Sequence, residues 1–294
     1  LCDNASVIAQ LLRRDLRQRT RHIRVHLGFV IDAIENGEII VMHVPTMENA
    51  VFARGLQAFQ AELLEHGFTM LVASKSYRPD IEEEQIRTLV ARGADALLLI
   101  GHERSPEVYQ FLEAQRIPTL ITWAFDGQSK RPSIGFDNRK AMRLMALKVI
   151  ELGHRNLAFI SAETSQNDRA KARHRGIEDA METSGLNPRD LHVLETTYGI
   201  EQGAAAFEQV MKTAPQTTAV ICGNDVLGVG ALRRAREMGV RVPQDVSITG
   251  FDDIELAEIA YPALTTVHVP HREMGRRAGE ALAKLVTDGT SIEA

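Results

Sequence analysis

From residue 38 to residue 288 the chain repeats one rhythm: a short apolar run, a turn, an amphipathic helical stretch, then another apolar run. The runs "EIIVMHV", "FTMLVAS", "ADALLLIG" and "PTLITWA" are spaced by "NAVFARGLQAFQAELLEHG", by a helix opening at Pro79-Asp80 and closing at Gly93, and by "SPEVYQFLEAQR". Phe52, Leu56, Phe59 and Leu63 recur on one face of the first helix, and Gly67 ends it. A second unit sets helices 138–152, 168–185, 200–212 and 225–238 between "NLAFISA", "HVLETT", "TAVICGN" and "VSITGF". Strands alternating with helices pair in parallel through right-handed crossovers, with helices covering both faces. The runs are too many for one compact sheet, and 294 residues suffice for two cores. The sequence therefore predicts an α/β chain of two lobes, each a doubly wound parallel sheet.

Such sheets bind ligands outside the carboxyl ends of their strands, so the residues where runs stop carry the interest. "VSITGFDD" stops on Asp252 and Asp253, and "SIGFDN" on Asp137 and Asn138. A metal site, a catalytic carboxylate, a polar ligand grip and a helix cap are the readings open. Asp137 reads as the cap of the helix that follows it. A hard cation wants about six oxygens, and neither strand end gathers further carboxylates or histidines. The sequence has no glycine-rich phosphate loop, no nucleophile elbow and no His/Cys/Asp cluster of ligand spacing. No enzyme activity, cofactor or metal is expected.

Only two cysteines occur, Cys2 and Cys222, which excludes a disulfide framework and a zinc site. A net charge of −5 gives the body of the chain no affinity for polyanions by composition. No apolar run reaches bilayer length, and the first residues lack the order of a secretion signal. The expected location is the cytoplasm.

"HVPTMENAVFARGLQAFQAELLEHGFTMLVAS", "SIGFDNRKAMRLMALKVIELGHRNLAFIS", "RAKARHRGIEDAM", "AVICGNDVLGVGALRRAREMGVRVPQDVSITGFDD" and "PALTTVHVPHREMGRRAGEAL" stand in an order and spacing that resemble the lactose-repressor (LacI/GalR-type) transcriptional regulators over residues 39–288. The resemblance implies a two-lobed, periplasmic-binding-protein-like fold with an effector in the cleft. It places an effector-binding core at 38–294, with one lobe at 39–123 plus 267–288 and the other at 125–266. Crossings are then expected near Trp123–Phe125 and Thr266–His268, and a third after residue 290. It also implies a helix-turn-helix headpiece with a hinge helix. Residues 1–37 show a divergent or incomplete version of that region, with a basic run at Arg13, Arg14, Arg17, Arg19, Arg21 and Arg24. Such a run contacts phosphates without reading sequence, or is a solvated tail. The chain as written is expected to bind DNA weakly and without sequence preference.

The resemblance also nominates effector contacts. Arg173 sits in the "R-x-x-G" pattern with Gly176, although Arg169 and Arg175 make a merely Arg-rich helix the competing reading. Asp252 matches a ligand-gripping carboxylate, expected to pair with Arg173. Asn224 matches a contact, and Asp225 beside it reads as a helix cap. Tyr198 occupies an aromatic wall position. Phe52 matches an aromatic contact but also fits its helix's core stripe, Thr46 and Asn49 lie in the loop before it, and His102 ends a strand. Many relatives carry Asp at the position of Trp123, whose indole offers a flat face and one N–H donor. The expected effector is a sugar, sugar acid or purine-like molecule; the expected partners are operator DNA and a second copy of the chain. A solute receptor of a transport system shares this fold and is the other function considered.

Overall fold

The computed structural model describes residues 39–46, 50–74, 79–165 and 167–288. The expected DNA-binding region, Asn49 and the third crossing lie outside the described residues. Five strands, β1 (Ile39–Val44), β2 (Thr69–Ser74), β3 (Ala96–Ile100), β4 (Thr119–Thr122) and β5 (Ser133–Ile134), form a parallel sheet in the order β2-β1-β3-β4-β5. Helices α1 (Ala53–Glu65), α2 (Pro79–Ala91) and α3 (Pro106–Ala114) connect the first four strands. A second parallel sheet contains β6 (Leu157–Ala162), β7 (His192–Thr196), β8 (Ala219–Cys222) and β9 (Ser247–Thr249) in the order β7-β6-β8-β9. Around it lie α4 (Asn138–Glu151), α5 (Asp168–Thr183), α6 (Ile200–Thr213), α7 (Asp225–Glu237) and the short α8 (Glu255–Ile259). The last helix, α9 (His271–Asp288), packs on α1 and returns the chain to the first lobe.

Local chemistry explains the elements. The apolar runs of β1, β3 and β6 are buried along their whole length, as parallel strands covered on both faces must be. Asp137 caps α4 by accepting the Lys140 N–H at 2.9 Å. Gly176 lets α5 lie close against α4, because a Cβ there would stand 2.3 Å from the Arg139 carbonyl oxygen. One apolar cluster runs from beneath α1 and α9 through Phe52, Trp123 and Phe251 to beneath α4 and α5, so the two lobes share core at their junction.

The lobe boundary differs from the expected one. Instead of leaving at Trp123–Phe125, the chain stays on the first sheet to Ile134, where β5 pairs with β4 through Ile121↔Ser133 and Thr122↔Ile134. The Thr122 hydroxyl donates to the Ile134 carbonyl at 2.8 Å, and the Phe125 N–H to the Phe136 carbonyl at 3.1 Å. The run ending on Asp137 is legible in "SIGFDN", but its pairing with β4 on the first sheet is not, because a two-residue strand carries no periodicity that assigns it to a sheet. On the return, Thr265 and His268 bridge in parallel to Thr249 and Asp252. In each sheet the winding reverses beside the first strand, between β1 and β3 and between β6 and β8, which opens a crevice at the carboxyl ends.

Candidate functional site

That crevice holds a cavity between the lobes. Six of the nominated residues line it: Phe52, Trp123, Arg173, Tyr198, Asn224 and Asp252, joined by Val51, Asn167 and Arg169. Its volume is about 20 Å³, enough for one water molecule. Small-molecule sites commonly measure about 300–1,000 Å³, so the cavity as it stands is too small for a sugar-sized ligand.

Arg173 is buried and held on three sides. Its Nε donates to Asn138 Oδ1 at 2.9 Å, its Nη1 to the Gly223 carbonyl at 2.5 Å, and its plane lies 3.9 Å over the Phe251 ring. The close α4–α5 packing brings Asn138 within reach of Arg173, and Asn138 Nδ2 donates in turn to the Trp123 carbonyl at 3.0 Å. The expected pairing with Asp252 is loose: Nη2 stands 3.9 Å from Oδ1, beyond hydrogen-bond distance. A buried guanidinium thus has no hydrogen-bonded carboxylate among the described residues.

Asp252 is 2 % exposed. Burial pushes its carboxyl up to about 7 against the pull of Arg173, and Asp225 nearby adds to the rise. Its backbone is strained as well: Trp123, Asp252 and Asp253 are three of the four non-glycine residues with positive φ among the described residues, at +57°, +111° and +56°. Trp123 and Asp252 are tied together by His271, which the sequence reading missed. The indole Nε1–H donates to His271 Nδ1 at 3.1 Å, so the ring's proton sits on Nε2 and donates to the Asp252 carbonyl at 3.1 Å. Burial pushes His271 down to about 4, which keeps the ring neutral at pH 7. The Trp123 N–H is therefore spent within the protein and, contrary to expectation, is not offered to a ligand; the indole contributes a face, set edge-on to Phe52 at 5.5 Å.

The expected cap of α7 is displaced by one residue. Asn224 is the N-cap, its Oδ1 accepting from the Leu227 N–H at 2.9 Å. That leaves Nδ2, buried in the cavity wall with no hydrogen-bond partner, as a donor for a ligand. Asp225 instead joins three segments: it accepts from the Ile254 N–H at 2.9 Å and the Thr266 hydroxyl at 2.5 Å, and burial pushes it up to about 6. Asp253 points outward to His268 at 2.6 Å and caps no helix. Tyr198 is half-buried, with burial raising its phenol and the Asn167 side chain hydrogen-bonded to it.

Thr46 and His102 do not line the cavity. Thr46 lies half-buried beyond β1, and His102 acts through its backbone at the lobe contact. Among the described residues no group of three His, Cys, Asp or Glu could hold a metal, and no helix is long and apolar enough to cross a membrane.

The comparisons with known proteins fit this geometry. A model of the periplasmic binding protein-like domain matches residues 147–294. The HTH-type transcriptional regulator GntR of Pseudomonas aeruginosa is 30% identical over 279 residues, which cover 92% of this chain and 81% of that protein. The HTH-type transcriptional repressor PurR of Serratia proteamaculans is 31% identical over 234 residues, 79% of this chain and 68% of that one. A LacI family transcriptional regulator from Silicibacter pomeroyi superposes with a TM-score of 0.79 at 28% identity, over 84% of this chain and 92% of its own.

Proposed function

The chain belongs to the LacI/GalR-type family of transcriptional regulators, and from that premise we propose that its interlobe cavity takes a sugar acid as effector. It is the ligand-responsive core of a DNA-binding regulator; the relatives are regulators, so the transport-receptor alternative is not favoured. Acting on operator DNA, it works in the cytoplasm, and effector-dependent opening or closing of the cleft shifts DNA affinity.

The observation that carries the effector class is Arg173: buried, fixed by Asn138, Gly223 and Phe251, yet without a hydrogen-bonded carboxylate. A buried charge is costly until paired, and a ligand carboxylate on Nη2 supplies that pair. The unpartnered Asn224 Nδ2 then serves a hydroxyl or ring oxygen, Asp252 accepts from or donates to another, and Phe52, Trp123 and Tyr198 cover the apolar face of a sugar. A neutral sugar or a purine base leaves Arg173 as poorly paired as it stands. Calorimetric titration with a set of aldonates and uronates, each against its neutral sugar and against hypoxanthine, tests this. One of the acids is expected to bind where its neutral partner does not; tighter binding of a neutral sugar or of the purine overturns the reading.

A further inference from the structure

Beyond the cavity the lobes also meet at the turn Ile100–His102, which ends β3. Asp168, the first residue of α5, accepts the His102 backbone N–H at 2.5 Å through Oδ2. Its Oδ1 accepts the Arg169 backbone N–H and Nη1, both at 2.9 Å. The same Nη1 donates to the Ile100 carbonyl at 3.2 Å, from one lobe to the other. Gly101 makes the approach possible: its φ is +74°, and a Cβ there would stand 2.0 Å from Arg169 Nη1 and 2.4 Å from Asp168 Oδ1. Any side chain at 101 would have to push the Asp168 and Arg169 side-chain tips off the turn. Beneath the turn, Arg104 donates to the Gly101 and Ile100 carbonyls at 2.5 and 3.1 Å and pairs with the buried Glu82 of α2 at 2.8 Å. The turn is therefore anchored to α2 on one side and gripped by α5 on the other. Burial works against it, but Arg169, the His102 N–H and Arg104 hold the Asp168 carboxyl below its usual range, so the grip is ionised at neutral pH.

We propose that Asp168 and Arg169 form a clasp that sets how far the effector cleft stands open at rest, and that Arg169, which also lines the cavity, makes closure depend on what the cavity holds. Only the second half rests on the effector reading. Both hydrogen bonds between the clasp and the turn exist only when the lobes touch, so their whole worth falls on the closed form. The exposed Arg54–Glu255 pair also spans the lobes, but with Glu255 82% exposed it is screened and contributes little.

Trp123 is the sole tryptophan, buried at the cleft, so acrylamide quenching of its fluorescence reads opening without any ligand. In the 294-residue chain, Asp168→Ala and Arg169→Gln should each raise the open-to-closed ratio by about tenfold, the worth of one charge-assisted hydrogen bond. Quenching and the radius of gyration from small-angle scattering then rise in both variants. The double variant should exceed either single change by less than their combined effect, since both act on one clasp. Asp179→Asn, which breaks the Arg139–Asp179 pair inside the second lobe, should leave quenching unchanged. Asp168→Asn, which removes the charge but keeps an acceptor for His102, serves if the alanine variant does not fold, and a smaller rise is expected from it. Wild-type quenching and radius in variants that circular dichroism reports as folded would overturn the clasp. Because no effector is added, that failure leaves the sugar-acid reading standing, and a failure of every sugar acid to bind leaves the clasp standing.

Discussion

At Asp252 burial and charge pull in opposite directions, and the outcome is a carboxyl that holds its proton to about pH 7 rather than 3.8. The sign of the linkage follows. Below pH 3.8 the residue is protonated in both folded and unfolded chains and costs nothing. As pH rises toward 7 the unfolded chain releases the proton and the folded chain keeps it, so stability falls; above 7 the loss is complete. Asp252→Asn should remove that slope and leave the chain more stable than wild type at pH 8, by on the order of a few kcal/mol, with little difference at pH 4. Urea unfolding at the two pH values checks it, and a variant less stable than wild type at pH 8 contradicts it. The position of Asp252 at a strand end was legible in the sequence because strand ends face ligands. Its protonation was not, because that depends first on how deeply the packed lobes bury it and then on Arg173 lying 3.9 Å away rather than in contact.

The alternation of apolar runs and amphipathic helices made most elements readable, the strand-end rule pointed to Asp252, and the family resemblance nominated the six residues that line the cavity. What escaped was of a different kind. Asn167 and Arg169 fall in "QNDRAKARHRG", which reads locally as a cap followed by a charged helix, and nothing local says that the first turn of α5 meets the opposite lobe. Val51 sits next to the Phe52 stripe, and His271 follows a proline with no pattern around it; its role appears only when α9 packs back on the first lobe. Asn224 does two jobs on α7, cap and donor, and these separate by substitution. Asn224→Ala should cost about 1 kcal/mol of stability as the cap is lost, and effector binding with it. Asn224→Ser keeps a capping oxygen but no amide donor, so stability should stay near wild type while effector affinity drops. Thermal melts and titrations run in parallel decide it; wild-type affinity in the serine variant would remove Asn224 from the site.

For the whole molecule, a shared core at the junction and the Asp168–Arg169 contacts hold two lobes together around a small cavity. A homodimer is the expected assembly, with the helices at 50–66, 80–92 and 225–238 as its expected surfaces; beside the last of these Ile259 and Tyr261 are 75% and 87% exposed, at a groove lined by Leu232, Val240, Val242 and Pro262 together with Arg236, Arg241 and Gln244. Light scattering at micromolar concentration should give the dimer mass, and Tyr261→Asp should lower it; a monomer mass for the wild type contradicts the assembly. Closure matters most for charge. Asp168 already balances Arg169, so in a closed, dry cavity an effector carboxylate and Asp252 compete for the single guanidinium of Arg173. Asp252 must then take a proton as the acid binds, whereas a neutral sugar would favour its ionised form. The deciding measurement is a calorimetric titration of the binding sugar acid at pH 8, repeated in two buffers of different ionisation enthalpy. Uptake of on the order of one proton per site is expected; binding without uptake, or with release, would contradict an anionic effector seated on Arg173.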